Sequence, residues 1–298
     1  MGDDVLAGMG QLRTWTELLL TVVSRHVAGS IGSPGCFEES DAALWSNNKF
    51  WRCIMIVAQI SDVHAAPGND NMSRLTCAVS WLAEVKPDVV VVSGDLIDGG
   101  WTEGYAQIES CLNALNCPVL VVPGNSDDRR ALSSAFTHRH GQVDNCEAVH
   151  FMAEFGAIRL VGLDTSLSGS AAGDVAQHLD WLKQVLDLPG AQSTLIFTHH
   201  HVVPCGIPPI DAVIAHGRKE LGGLLEQRSR GQLAISSGHV HRPMSAMLGP
   251  IPAHICGSIC AANPLWFGGP SIPTVNDPPM IMIHRFAADG LVSSHVGI

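Results

Sequence analysis

The chain of 298 residues is poor in charged and aromatic side chains. Charged residues make up 15% of it and aromatic residues 5%, with a single tyrosine. Hydrophobic residues reach 46%, which is typical of a folded globular domain and excludes a disordered chain. Cations are scarce, with 17 Lys and Arg against 28 Asp and Glu and a formal net charge of −11. This balance disfavours a protein that binds a nucleic acid polymer through a basic surface.

Long apolar segments and closely paired cysteines are also missing. No run of about 18 apolar residues occurs, so the sequence predicts no membrane span. The start, Met-Gly-Asp-Asp, is acidic where a secretory signal is basic. The nine cysteines include no Cys-x-x-Cys pair, which favours reduced and mostly buried thiols. We therefore expect a cytoplasmic protein.

Two regions differ in their patterns. Residues 1–53 carry little periodic signal, and we interpret them as an N-terminal appendage that the working protein can lack. From residue 54 onward apolar runs alternate with helical stretches, which predicts one α/β domain over residues 54–298. We expect buried strands at 54–60, 89–92, 119–122, 158–163, 195–197 and 233–235. We expect helices near 71–85, 102–115, 175–186 and 219–227. Later short segments, from 244–248 to 291–296, predict a strand-rich C-terminal sheet.

Five of the apolar runs end in side chains of the types that bind metals. The motifs are Asp62-Val-His64, Gly94-Asp95-Leu-Ile-Asp98, Gly124-Asn125-Ser126-Asp127, His199-His200-His201 and Gly238-His239-Val-His241. Ligands of open α/β sheets bind beyond the carboxyl ends of the strands, and residues i and i+2 of an extended chain face one side. Imidazole nitrogens mixed with carboxylate and amide oxygens suit Mn, Fe, Zn or Co. Seven candidate ligands exceed the need of one ion, so we expect two divalent metal ions, about 3.5–4 Å apart.

As an ordered set, these motifs resemble the calcineurin-like metallophosphoesterase superfamily over residues 55–248. The segments 125–129, 199–206 and 238–242 are similar to its class III branch, the cyclic-nucleotide and glycerophosphodiester phosphodiesterases. The resemblance implies an α/β fold, a four-layer αββα sandwich with two mixed β-sheets. Carried over by position, the ligands of the first metal are Asp62, His64 and His241. Those of the second are Asn125, His199 and His239, and Asp95 bridges the two ions.

The resemblance also implies an activity. It is hydrolysis of a small organic phosphodiester, a 3',5'-cyclic nucleotide or a glycerophosphodiester, by a hydroxide held between the metals. We expect Asp95, Asn125 and His200 to serve catalysis, and Asn125, Arg129 and His200 to contact the substrate. Arg129 can equally cap a helix. The sequence leaves open whether the chain forms a homo-oligomer.

Two positions depart from the family pattern. Ser126 stands where the family usually has a histidine that assists the leaving group, and serine cannot donate a proton near pH 7. Water or His200 is then the substitute donor. His201-Val202 stands where relatives commonly have Pro-Pro, so three adjacent histidines compete as the metal ligand. Pro204, Gly206 and Asp211 keep the family spacing when His199 is chosen.

Ser126 keeps a second hypothesis open, a catalytically weakened metal-binding scaffold. A phosphomonoesterase or a nuclease of the same superfamily is a further alternative. Near the motifs, we expect Asp98 to hydrogen-bond the turn and Asp127 and Asp128 to cap the following helix. Cys205 is expected to line the metal-ligand loop.

Overall fold

The computed structural model describes residues 54–136, 148–228 and 231–298. The predicted appendage over residues 1–53 lies outside the described residues and stays a prediction. The strands are β1 (Met55–Ile60), β2 (Val89–Ser93), β3 (Val119–Val122), β4 (Phe151–Phe155), β5 (Ile158–Leu163), β6 (Ser193–Thr198), β7 (Gln232–Ser237), β8 (Met244–Leu248), β9 (Ile251–Ile255), β10 (Met280–Ala287) and β11 (Gly290–Gly297). The helices are α1 (Asn71–Val85), α2 (Gly104–Leu112), α3 (Arg129–Ala135), α4 (Leu179–Asp187), α5 (Pro208–Asp211) and α6 (Arg218–Arg228). A short 3₁₀ turn, Ala176–His178, precedes α4.

The strands form two mixed sheets. The five-stranded sheet has the order β11-β10-β1-β2-β3, and the six-stranded sheet has the order β4-β5-β6-β7-β9-β8. Strands β1, β2 and β3 run parallel, as do β5, β6, β7 and β9. Antiparallel neighbours complete the outer positions of both sheets. The carboxyl ends of the parallel strands therefore supply the connections that can carry a site.

Alternate side chains of a central strand face different layers of the molecule. Val90 and Val92 of β2 pack with residues of α1, α2 and α3, whereas Val89 and Val91 pack against Phe197 of the other sheet. Helices α4 and α6 cover the outer face of the six-stranded sheet. A strand buried on both faces has to be apolar along its whole length, which explains the unbroken valine run. The predicted four-layer αββα sandwich is confirmed.

The C-terminal strands depart from the prediction of one C-terminal sheet. Strands β8 and β9 join the six-stranded sheet through β7, whereas β10 and β11 join the five-stranded sheet through β1. The partners of these strands lie far away in sequence, so local patterning cannot assign them. Strand β4 was not predicted, because it is a half-buried edge strand without clear alternation.

The described part of the chain holds no helix long and apolar enough to cross a bilayer. Its longest helix, α1, has 15 residues, whereas a membrane-spanning helix needs about 20.

Candidate metal centre

Seven predicted ligands meet at one edge of the sandwich. Asp62 and His64 follow β1, Asp95 follows β2, and Asn125 follows β3. From the second sheet, His199 follows β6, and β7 leads to His239 and His241. Backbone hydrogen bonds tie these connections together, including Asp62 N–H to Gly94 O at 3.0 Å and Gly238 N–H to His199 O at 2.9 Å. The sequence prediction of one convergent cluster agrees with this geometry.

The backbone at the cluster is strained. Among the described residues, six that are not glycine have a positive φ, and five of them are predicted ligands: Asp62, His64, Asp95, His239 and His241, with φ between 47° and 68°. Such conformations cost about 1–3 kcal/mol each and persist where the surroundings impose them, commonly at functional sites. The backbone strain at this edge is typical of a functional site.

Four residues form a first set of donor atoms. His64 Nε2 lies 3.1 Å from His241 Nε2 and 3.3 Å from Asp95 Oδ2. His241 Nε2 lies 3.3 Å from Asp62 Oδ1. The carboxylates of Asp62 and Asp95 are almost fully buried. One nitrogen or oxygen from each residue can therefore converge on a single cation.

A second set surrounds His199. Its Nε2 lies 3.2 Å from Asn125 Oδ1, 3.2 Å from His239 Nδ1 and 3.3 Å from Asp95 Oδ2. The same oxygen, Asp95 Oδ2, thus faces both sets at equal distance. A shared carboxylate oxygen is the arrangement that holds two cations side by side.

In the neutral rings of His64 and His199, hydrogen bonds from the outer nitrogens leave the inner nitrogens free to bind a cation. His64 Nδ1–H donates to Asp98 Oδ1 at 3.1 Å, and His199 Nδ1–H donates to Ser93 O at 2.8 Å. In a neutral ring the other nitrogen, Nε2, then has no hydrogen. Lone pairs of nitrogen and oxygen that face one another at 3.1–3.3 Å repel unless a cation lies between them. The donor sets therefore fit divalent metals of the Mn, Fe, Zn or Co class.

The pKa values show which ligands favour positive charge. Burial disfavours the imidazolium of His64, but the hydrogen bond and charge of Asp95 outweigh it and raise the pKa of His64 to about 10. His199 is likewise opposed by burial, yet Asp95 raises its pKa to about 9. Burial also opposes ionisation of Asp62, but His241 outweighs it and lowers the pKa of Asp62 to about 2. His239 has its pKa lowered to about 3 by burial and by His199. His64 and His199 therefore favour protonation while Asp62 stays ionised, and His239 stays neutral near neutral pH.

Two motif glycines are required by close packing. A Cβ on Gly124 would collide with the Asp95 carboxylate, and a Cβ on Gly238 would collide with Ser61 and Asp62. The glycine before Asn125 and the glycine before His239 therefore allow the loops of both sheets to approach the carboxylates.

His200 and Arg129 were predicted to contact the substrate, and both have internal partners. His200 is fully buried, and its Nε2–H donates to Ala171 O at 3.2 Å while its Nδ1 accepts from the Thr165 hydroxyl at 2.8 Å. Burial, together with His199 and His239, holds the pKa of His200 well below its usual range.

Arg129 begins α3 and pairs with a buried carboxylate. Its guanidinium donates to Asp164 at 2.7 and 3.2 Å, and it also donates to the Ser166 carbonyl oxygen. The substrate contacts of Arg129 and His200 stay predictions.

Of the two aspartates after Ser126 that were expected to cap α3, only one does so. Asp128 caps α3 by accepting from Ala131 N–H at 2.8 Å, as predicted. Asp127 does not cap the helix, which corrects that prediction. Its carboxylate accepts from Leu96 N–H and from Gly124 N–H, at 3.0 and 2.9 Å. These partners lie on the β2 and β3 connections, so Asp127 holds the two ligand loops together.

Several contacts to the ligands were missed by sequence reasoning or given less weight. Asp98 was expected to bond the turn, yet it contacts the ring of His64. Cys260 Sγ lies 3.3 Å from His241 Nδ1, although it is distant in sequence and outside the motifs. The i+3 spacing of Asp98 after Asp95 was the available signal for the first contact. No sequence pattern pointed to the second.

The sequence pattern of calcineurin-like phosphoesterases matches residues 55–243, a span that contains every residue of both donor sets. The chain belongs to the calcineurin-like phosphoesterase family. The predictions of this family and of a metal-dependent phosphoesterase are confirmed.

Individual relatives of this phosphoesterase agree with the predicted branch. It is 30% identical to a glycerophosphodiester phosphodiesterase of Enterobacter lignolyticus over 198 residues, which cover 63% of this chain and 71% of the relative. It is 26% identical to a cAMP/cGMP dual specificity phosphodiesterase of Mycobacterium tuberculosis over 224 residues, 70% of this chain and 69% of the relative. A dimetal phosphatase from Danio rerio has the same fold, with a TM-score of 0.65 at 17% identity, covering 82% of this chain and 96% of that one. The resemblance to the class III branch is confirmed.

Proposed function

We propose that this phosphoesterase hydrolyses a small organic phosphodiester, a 3',5'-cyclic nucleotide or a glycerophosphodiester, at a centre of two divalent cations. The observation that carries the proposal is the position of Asp95 Oδ2, 3.3 Å from both His64 Nε2 and His199 Nε2. One carboxylate oxygen between two donor sets is what a dinuclear centre requires. The substrate class follows from the relatives, which are named as phosphodiesterases of these two kinds.

The ligands divide between the two cations as the resemblance implies. Asp62, His64 and His241 would hold one ion, Asn125, His199 and His239 would hold the other, and Asp95 would serve both. When bound, the cations lower the pKa of coordinated water from about 15.7 toward 7 and offset the charge that builds on the phosphate. The protein's own part is to keep each donor in place through strained turns and outer hydrogen bonds.

Charge at the centre suits a single phosphodiester. Two divalent cations bring +4 and the carboxylates of Asp62 and Asp95 bring −2, so the centre carries about +2. The whole chain is acidic, with a formal net charge of −11 that includes these two carboxylates. A long polyanion lying across the surface would meet this acidic remainder, which disfavours a nuclease. A small monoanion meets only the cationic centre.

One loop is anchored where it can form a wall of the substrate site. Cys260 N–H donates to Asp62 O at 2.9 Å, Arg242 Nε–H donates to Asn263 O at 2.7 Å, and Asn263 Nδ2–H donates to Val240 O at 3.0 Å. These contacts fasten the loop over residues 257–269 to the loops that carry the ligands. We propose that its side chains select the substrate.

Protonation of the leaving group lacks the histidine that the family usually has at position 126. Ser126 has no acidic proton near neutral pH, and both ring nitrogens of His200 are engaged by Thr165 and Ala171. Water is then the donor, and diesters with good leaving groups are the better substrates. A lost general acid costs about 10²–10⁴-fold for poor leaving groups.

The test is an assay of the chelator-stripped protein reloaded with Mn²⁺. We expect turnover of bis(p-nitrophenyl) phosphate that disappears on chelation, followed by activity on cyclic AMP or on a glycerophosphodiester. Bound metal without turnover of any ester would support the scaffold alternative. Faster hydrolysis of p-nitrophenyl phosphate than of the diesters would overturn the substrate class.

A further inference from the structure

A second group of metal-binding side chains lies beside the centre described above. His201, Cys205 and Asp211 each offer one donor atom, and these atoms lie within 4.8 Å of one another. None of the three belongs to the two donor sets that share Asp95. His201 and Cys205 are buried, whereas Asp211 is partly exposed and gives the group access to solvent.

The buried ring of His201 is the main evidence that a ligand binds at this group. It is completely buried, and neither of its ring nitrogens has a hydrogen-bond partner in the described part of the chain. Asp211 Oδ1 lies 3.6 Å from His201 Nε2, which is beyond hydrogen-bond length. Leaving a buried polar group unsatisfied costs about 1–3 kcal/mol. A cation between His201 Nε2 and the Asp211 carboxylate removes that cost for Nε2.

The separation of His201 and Asp211 suits a tetrahedral ion. With bonds of about 2.0–2.3 Å, zinc holds its ligand atoms about 3.3–3.8 Å apart, and the separation of 3.6 Å between His201 Nε2 and Asp211 Oδ1 lies in this range. Asp211 is already oriented, since it accepts from Cys205 N–H at 2.7 Å and from Gly206 N–H at 2.9 Å. Such outer hydrogen bonds are typical of ligating carboxylates.

We propose that His201, Cys205 and Asp211 form a third metal site, which takes a thiophilic divalent cation of the zinc class. One thiolate and one carboxylate neutralise the two charges of the ion, so the buried site carries no net charge. The Cys205 thiol loses its proton to solvent when the ion binds. Water completes the coordination on the side of Asp211. The ion links both ends of the loop over residues 201–211, and His201 stacks on His239 with ring centroids 5.5 Å apart.

Cobalt spectroscopy of the full chain tests the site without relying on catalysis. Chelator-stripped protein is titrated with Co²⁺, and a thiolate-to-cobalt charge-transfer band in the near ultraviolet reports a cysteine ligand. We expect the band in the wild type and in Cys260→Ser, which removes the thiol beside His241, and its loss in Cys205→Ser. His201→Gln should weaken cobalt binding at this site at least tenfold and so guards against misfolding of a single variant.

The outcomes separate this inference from the proposed function. In Asp95→Asn the shared carboxylate is lost, yet the band should remain. No band at saturating Co²⁺, or a band that survives in Cys205→Ser, overturns the third site whatever the phosphodiester assay shows. A band that depends on Cys205, in a protein without turnover, supports the site while the proposed function fails.

Discussion

Replacing Asp98 by alanine tests whether His64 depends on this carboxylate for its orientation. Asp98 Oδ1 accepts from His64 Nδ1–H at 3.1 Å, on the opposite side of the ring from Nε2, which faces His241 and Asp95. The contact holds the hydrogen on Nδ1 and the lone pair on Nε2. Without it the ring can rotate or take the other tautomer, and metal affinity falls.

The size of the loss follows from the exposure of the carboxylate. Outer partners of ligating histidines typically contribute about 10–100-fold to metal affinity or activity. The Asp98 side chain is 52% exposed, so water screens its charge and replaces part of its hydrogen bond. We therefore expect the lower end, about tenfold weaker Mn²⁺ binding or about 1.4 kcal/mol. Asp98→Asn keeps an oxygen acceptor and should lose less than the alanine variant.

The assay follows turnover of bis(p-nitrophenyl) phosphate against free Mn²⁺, with calorimetry of metal binding beside it. Asp187→Ala is the matched control, because the Asp187 side chain is also 52% exposed and pairs with Arg228 at 3.0 Å. Its Mn²⁺ affinity should equal that of the wild type. Unchanged affinity in Asp98→Ala would refute the reasoning, and so would an equal loss in the control.

Three further predictions concern the same centre. In the Cys205→Ser background, which lacks the third site, Asp95→Asn should reduce the metal content below two ions per chain, since the amide lacks the charge that both cations share. Two ions in that double variant, measured by elemental analysis, would contradict the bridging role. Ser126→His should raise hydrolysis of diesters with poor leaving groups more than of those with good ones, and an equal effect on both in steady-state kinetics would remove position 126 from proton transfer. The pKa values of His64 and His199 are raised to about 10 and about 9, so the protonated histidines stabilise the metal-free fold. This stabilisation is complete below the ordinary imidazole pKa of 6.5 and is lost as pH rises through about 9–10. Metal binding must displace these protons, so Mn²⁺ affinity should rise with pH across the neutral range; calorimetry that finds no proton release would exclude this competition.

The sequence alone determined the layers and the order of the ligands. The valine run of β2 predicts a strand buried on both faces, and β2 is such a strand. Asp62, Asp95, Asn125 and His199 lie within three residues of the ends of their strands, so their gathering at one edge follows from the geometry of parallel strands. These features depend on residues that are close together in the chain, so the sequence pattern predicts them.

Only the tertiary structure decided the contacts between distant segments. Asp127 accepts from Leu96 N–H instead of capping α3, and Arg129 pairs with Asp164, since those partners lie more than 30 residues away. The C-terminal strands divide between two sheets for the same reason. The equal approach of Asp95 Oδ2 to His64 and His199, and the solitary ring of His201 beside Asp211, likewise depend on how the two sheets pack. Spacing along a chain predicts which side chains share an edge, whereas packing decides the distances between them.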